Sequence, residues 1–125
     1  MKNLITLLFL LIAFAGCKKS SGSDPKPGSN TMRVQITANV NFDYGISEWV
    51  PGATTMTLDK SGTDVASLDY SFVPGAGQNI EIGASTSTVS NLTLKVTYKG
   101  QVYGPTSSSN TGGTALDFKF EVPAN

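Results

Sequence analysis

From Met32 onward the hydrophobic pattern has a period of two. Val34, Ile36, Ala38, Val40 and Phe42 alternate with Arg33, Gln35, Thr37, Asn39 and Asn41, the signature of a strand with one face buried. The last segment repeats it, with Leu116, Phe118, Phe120 and Val122 set against Ala115, Asp117, Lys119 and Glu121. Between these ends the pattern predicts strands over residues 54–58, 65–72, 79–83, 92–98 and 101–103. Seven short strands so spaced predict an all-β chain, an antiparallel sandwich of the immunoglobulin or transthyretin kind. The pair Lys99-Gly100 between Tyr98 and Gln101 fits a two-residue hairpin loop, which sets Tyr98 opposite Gln101 and Val96 opposite Tyr103. Pro51-Gly52, Ser61-Gly62, Pro74-Gly75 and Gly112-Gly113 supply turn chemistry. Val50-Pro51-Gly52-Ala53 and Val73-Pro74-Gly75-Ala76 read as two copies of one common turn. Lys95 and Lys119, projecting outward, are expected to guard strand edges against pairing.

The first 31 residues break this period. Lys2 is followed by an apolar stretch from Leu4 to Ala15, the n-region and h-region of an export signal. That stretch falls short of the roughly 20 apolar residues a bilayer span needs, so it reads as a cleaved leader over residues 1–16. It ends in Phe14-Ala15-Gly16-Cys17-Lys18, and Cys17 is the only cysteine in the chain. The run resembles a bacterial lipoprotein processing site: small residues let a peptidase approach, and the thiol that follows accepts a diacylglyceryl group. Phe14 stands where Leu is usual. An ordinary signal peptide or an anchor helix with an incidental cysteine is the alternative. By the same resemblance Lys18, in a place where Asp retains a lipoprotein at the inner membrane, points to the outer membrane. The partner so implied is a lipid bilayer, reached through acylated Cys17.

Residues 17–31 form the linker of this reading. They hold Pro, Gly, Ser and Lys with nothing able to seed a core, a composition for a flexible tether. At about 3.3 Å per residue it reaches on the order of 45 Å when taut, which sets the β-domain, residues 32–125, clear of the lipid. Without the leader the side chains carry eight cations against nine carboxylates. A basic nucleic-acid footprint needs clustered Lys and Arg; the cluster of Lys18, Lys19 and Lys26 lies beside the lipid instead, where each cation is worth roughly 1 kcal/mol against anionic head groups. No nucleic-acid partner is expected.

Chemistry is sparse in the β-domain. The chain has no histidine, which removes the commonest general base and any Ser-His-Asp arrangement. Asp43 with Glu48, or Asp59 with Asp64, are candidate carboxylate pairs, each at an expected turn where acids are ordinary. Residues 59–64 offer two carboxylates and a hydroxyl to Ca²⁺, but they lack a third acidic or amide ligand and a terminal Glu, so a solvated hairpin loop is the better reading. No catalytic residue, metal ligand or cofactor is therefore assigned, and the chain is read as non-enzymatic. Tyr44, Trp49, Tyr70, Tyr98 and Tyr103 are amphipathic aromatics that either fill a core or meet a sugar ring or a protein partner. Tyr70 and Tyr98 are expected inside with their hydroxyls at the rim, and Trp49 as a plug over one end, placed in a long connection. Tyr44, Trp49 and Tyr103 are the candidate contacts for a ligand or partner.

The segments Ala53-Thr54-Thr55-Met56-Thr57-Leu58-Asp59-Lys60-Ser61-Gly62, Leu68-Asp69-Tyr70-Ser71-Phe72 and Ile80-Glu81-Ile82-Gly83-Ala84-Ser85 resemble strands and turns of the MmpS-like family. The hairpin over residues 92–103 and the Thr/Ser-rich residues 106–110, expected as a loop, continue that likeness. It spans roughly residues 34–122. Asp69-Tyr70 stands where the family commonly has Pro-Trp, and the family's cysteine pair and transmembrane anchor are missing. The resemblance implies a small immunoglobulin- or transthyretin-like sandwich at a membrane, assisting an envelope complex such as an RND-type exporter. It carries over no functional residue. Two functions stand side by side: an accessory or interaction module for a membrane complex, and a surface module that binds a glycan or another small ligand.

Overall fold

The computed structural model describes residues 25–104, 106–110 and 112–124. The leader, Cys17 and the first part of the linker lie outside the described residues. The chain is all-β. In chain order the strands are β1 (Met32–Trp49), β2 (Met56–Phe72), β3 (Asn79–Thr86), β4 (Thr93–Tyr98), β5 (Gln101–Tyr103), β6 (Thr106–Asn110) and β7 (Gly113–Glu121). Six run in the order β5-β4-β1-β3-β7-β6, and β2 joins β1. Every pairing is antiparallel.

The long strand β1 organises the sheet because each of its halves has two partners. Residues 32–37 pair with β4 on one side and with residues 67–72 of β2 on the other. Residues 43–49 pair with β3, while residues 56–62 of β2 continue along the opposite side. Between the paired residues Thr37 and Phe42 lie four residues of β1, against Ala66 alone on β2. Such an excess on one strand bends the ladder. The freed polar groups are met locally: Asn91 N–H donates to Asn39 Oδ1 (3.0 Å), Asn41 Nδ2 donates to Asp64 Oδ1 (3.1 Å) and Asp64 N–H donates to Asp43 Oδ1 (2.9 Å). Asp64 itself takes φ 55°, a left-handed conformation that Asp tolerates better than most residues.

The bend curls the sheet until its far ends meet. Tyr98 on β4 and Tyr103 on β5 set their rings edge-on to Phe120 of β7, at centroid separations of 5.6 and 5.0 Å, although neither strand pairs with β7. Inside the curl lie Met32, Val34, Ile36, Phe42, Ile46, Ile80, Ile82, Leu94, Val96 and Leu116, all buried. Of the inward set expected on β1, Val34, Ile36 and Phe42 are buried and Ala38 is half-buried, whereas Val40 lies in the bulged stretch between the paired residues Thr37 and Phe42 and is exposed; Met32 and Ile46 extend the same even-numbered face. Tyr98 is buried and Tyr70 half-buried. The Lys99-Gly100 hairpin has the expected register, Tyr98 with Gln101 and Val96 with Tyr103. Both loop residues have positive φ, 50° and 76°, the form of two-residue loop whose twist matches its strands. Residues 25–31, the end of the expected linker, include a turn closed by Ser29 N–H to the Lys26 carbonyl (2.9 Å), and a methyl group on Gly100 would lie 3.0 Å from Pro27 Cα.

Several boundaries differ from the alternation pattern. The strands expected over 54–58 and 65–72 are one continuous β2, so residues 59–64 are strand and bulge, not a hairpin loop. Ser61-Gly62 is locally good turn chemistry, but the second half of β1 presents a complete row of backbone partners that holds the segment extended. The first strand likewise runs on to Trp49, which therefore ends a strand and does not sit in a connection. Residues 106–110, expected as a loop, pair with β7 as β6. Lys95 and Lys119 lie on open stretches of their strands: β5 pairs with residues 96–98 of β4 and β6 with residues 113–117 of β7, so among the described residues each lysine has a paired strand on one side, Lys95 opposite Gln35 and Lys119 opposite Glu81.

Candidate functional site around Trp49

Beyond the bend, the odd-numbered residues of β1 point away from the core. Ser47 stands in a cross-strand row with Glu81 and Lys119, and Trp49 in the next row with Asn79 and Glu121. On its other side Trp49 pairs with Met56, which is 56% exposed. Pro51 then ends the strand, and the turn at residues 50–53 closes through Ala53 N–H to the Val50 carbonyl (2.9 Å).

The half-buried indole separates two shallow grooves. One, of about 340 Å³, is lined by Asn79, Ile80, Glu81, Lys119, Phe120 and Glu121; the other, of about 290 Å³, by Ser47, Ala53, Thr54, Thr55, Met56 and Glu81. Both have Trp49 as a wall. Lys119 Nζ lies 3.5 Å from Glu81 Oε1 and 3.9 Å from Asp117 Oδ2. A flat apolar ring beside carboxylates, an amide and an ammonium combines area for stacking with groups that fix orientation.

The other two candidate contacts are drawn elsewhere. Tyr44 is half-buried against the core and lies over Gly62 on the neighbouring strand: a methyl group added to Gly62 would sit 2.5 Å from Tyr44 Cε1. Tyr103 is half-buried, packs on Phe120 and donates from its hydroxyl to Gln101 Oε1 (3.1 Å). Neither joins Trp49 on the outer face.

The acidic pairs read from the sequence do not meet as chemical pairs. Asp43 is exposed, while Glu48 is buried and accepts from Gly75 N–H at 2.6 Å. Asp59 stands opposite Ser47 on β1, whereas Asp64 occupies the bulge. Among the described residues no three acidic or cysteine side chains gather as a metal site.

Two polar anchors went unread in the sequence. Arg33 alternates outward yet is only 5% exposed. Its Nε donates to Asp69 Oδ1 (2.8 Å) and its Nη2 to Asp69 Oδ2 (2.6 Å), a bidentate grip across β1 and β2. The hydrogen bond from Arg33 holds the Asp69 carboxyl below the usual carboxylate range against the opposing effect of burial, and the Arg33 charge and a hydrogen bond from Gln35 lower it further. Glu48 is the second anchor. Its inward place would have been legible from the even-numbered alternation of β1, had the strand been extended past Phe42.

No protein-family model, no curated protein and no solved structure matches the chain.

Proposed function

We propose that the chain is a non-enzymatic lipoprotein of the bacterial cell envelope, held to the outer membrane through acylated Cys17, whose β-domain is an interaction module for a membrane complex. In this reading the facing halves of the curled sheet are the two layers of an immunoglobulin- or transthyretin-like sandwich. The observation that carries it is the outward Trp49, set between two grooves at a strand end. Half-buried tryptophans are frequent energetic centres of protein contacts. The leader ending in Ala15-Gly16-Cys17 and the linker after it support the anchor. The MmpS-like resemblance makes an RND-type exporter the first complex to examine.

The test is proximity crosslinking in intact cells with the chain tagged at Asn125, followed by mass spectrometry. One envelope complex should be enriched, and the enrichment should drop with Cys17→Ala and with Trp49→Ala. Equal recovery from all three chains would refute the module.

A second reading, a glycan or other small ligand at Trp49, is favoured by the polar groups beside the indole: Asn79, Glu81, Lys119 and Glu121. Trp49 is the only tryptophan, so its fluorescence reports directly on that face. Saturable quenching by a saccharide, abolished by Glu81→Ala, would support this reading, and an unchanged spectrum across a broad glycan panel would remove it.

A further inference from the structure

We infer that β2 is a docking edge for a second copy of this chain, joined strand to strand about a two-fold axis through Tyr70. Among the described residues β2 pairs with β1 alone, so its other side presents backbone donors and acceptors along 17 residues. Exposed edges of that length recruit strands unless they are blocked. The other open edges are shorter: β5 and β6 have three and five residues, and the stretches of β4 and β7 that they leave uncovered are residues 93–95 and 118–121. No residue of β2 is buried, whereas its partner β1 holds most of the deepest core. The inward side chains Leu68, Tyr70 and Phe72 pack on that core yet remain half-exposed. One more strand beside them would complete their cover.

The occupant follows from the pattern of the edge itself. Residues directly opposite in an antiparallel pair share a face, so a two-fold axis must pass through a residue position. About Tyr70 the inward set pairs wholly with itself: Tyr70 meets Tyr70 of the second copy, and Leu68 meets Phe72 twice. Such aromatic and aliphatic cross-strand pairs are the stabilising unit of a sheet. On the outer face Asp69 stands opposite Ser71, and Ser67 opposite Val73, so no like charges meet. An axis through Asp69 would oppose two carboxylates, and one through Ser71 would set Leu68 against Pro74. The run ends naturally at Pro74, which has no N–H to give. The lower half of β2 is unsuited. Lys60 and Gly62 hold its inward places, Lys60 Nζ lies 4.7 Å from the Tyr70 ring centre, and the Asp64 bulge breaks the straight edge.

A cysteine at the axis tests the register. Full-length chain carrying Tyr70→Cys, oxidised in intact cells and run without reductant, should give a linked band at twice the chain mass, several-fold above the wild type, whose only cysteine is Cys17. Ser61→Cys should not exceed the wild type. A linked band of another mass would mean a foreign strand, and linkage at 61 but not at 70 would mean a different register; either overturns the proposal. Tyr70→Cys also trims inner packing, so a second measurement leaves that face intact. Ser71 is exposed and would oppose Asp69 of the mate, and sedimentation of the purified full-length chain should show about tenfold weaker self-association for Ser71→Asp and about tenfold stronger for Ser71→Lys, from two altered cross-strand pairs per dimer. Monomer in all three, or equal association in both variants, overturns it as well.

Discussion

β1 and β2 are neighbours in one hairpin, 18 and 17 residues long, and both alternate apolar with polar positions. Yet Val34, Ile36 and Ile46 on β1 have no exposed surface, while every inward residue of β2 keeps some. The difference lies in their neighbours. β1 is flanked along nearly its whole length, by β4 and then β3 on one side and by β2 on the other; β2 is flanked once. Alternation decides which side chains share a face, and the number of adjoining strands decides how much of that face loses water. Hydrophobic stabilisation follows the area removed from water, about 25 cal/mol per Å², so equal patterns yield unequal energies.

The sharpest test sets one core position against one edge position. Ile46→Ala should cost about 2–5 kcal/mol, the range for truncating a fully buried aliphatic side chain, whereas Leu68→Ala should cost less than half as much. Urea denaturation of both variants measures this, and equal losses would break the comparison. Next comes the joint between the strands. Gly62→Ala places a methyl group against the Tyr44 ring, which must swing from its place over β2 at a cost of about 1–2 kcal/mol. Gly62→Ala in a Tyr44→Ala background should recover most of its own loss, and a lack of coupling would mean that the ring is not the obstacle.

A third test concerns the outer face, where Arg33 grips Asp69. Because the Asp69 pKa is lowered in the folded chain, its contribution is present above the ordinary carboxylate value of about 3.8 and is lost as pH falls through the lower folded value. Asp69→Asn should therefore lower the urea midpoint at pH 7 and matter less at pH 3. An equal gap at both pH values would show that the grip is not charge-dependent. The smallest effect is expected for Lys119→Ala. Lys119 and Glu81 are both well exposed, at 68% and 41% of their side-chain surface, and exposed ion pairs contribute only about 0–1 kcal/mol. A larger loss, read in the same denaturation experiment, would mean that Lys119 supports the Trp49 face by more than its charge.

Much of the candidate site was legible as residue types and little of it as a place. Trp49 stood out by chemistry alone. Its companions Asn79, Glu81, Lys119 and Glu121 lie 30 or more residues away in sequence, and only cross-strand register brings them beside it. Tyr44 and Tyr103 had the same sequence credentials as Trp49. Tyr44 falls at an even, inward position of β1, and Tyr103 is turned to Phe120 by the curl. Neither orientation was accessible without the length of β1 and the path of the sheet.

The two copies of Val-Pro-Gly-Ala mark where local determination ends. At residues 50–53 the words form the expected hydrogen-bonded turn. At residues 73–76 they do not: Glu48 captures Gly75 N–H, Pro74 is buried, and the turn moves on to residues 75–78, closed by Gln78 N–H to the Gly75 carbonyl (3.2 Å). What the sequence by itself determined was short-range: the period of two, hence the all-β class and most of the inner face of β1 and β7, and the Lys99-Gly100 hairpin, whose register needs only its loop. What the tertiary structure alone decided was long-range: the fusion of two expected strands into β2, the length of β1 that carries Glu48 inward and Trp49 outward, the burial of Arg33 and the open edge. The physical reason is that backbone conformation follows from adjacent residues, whereas burial and pairing depend on partners that the fold brings from a distance.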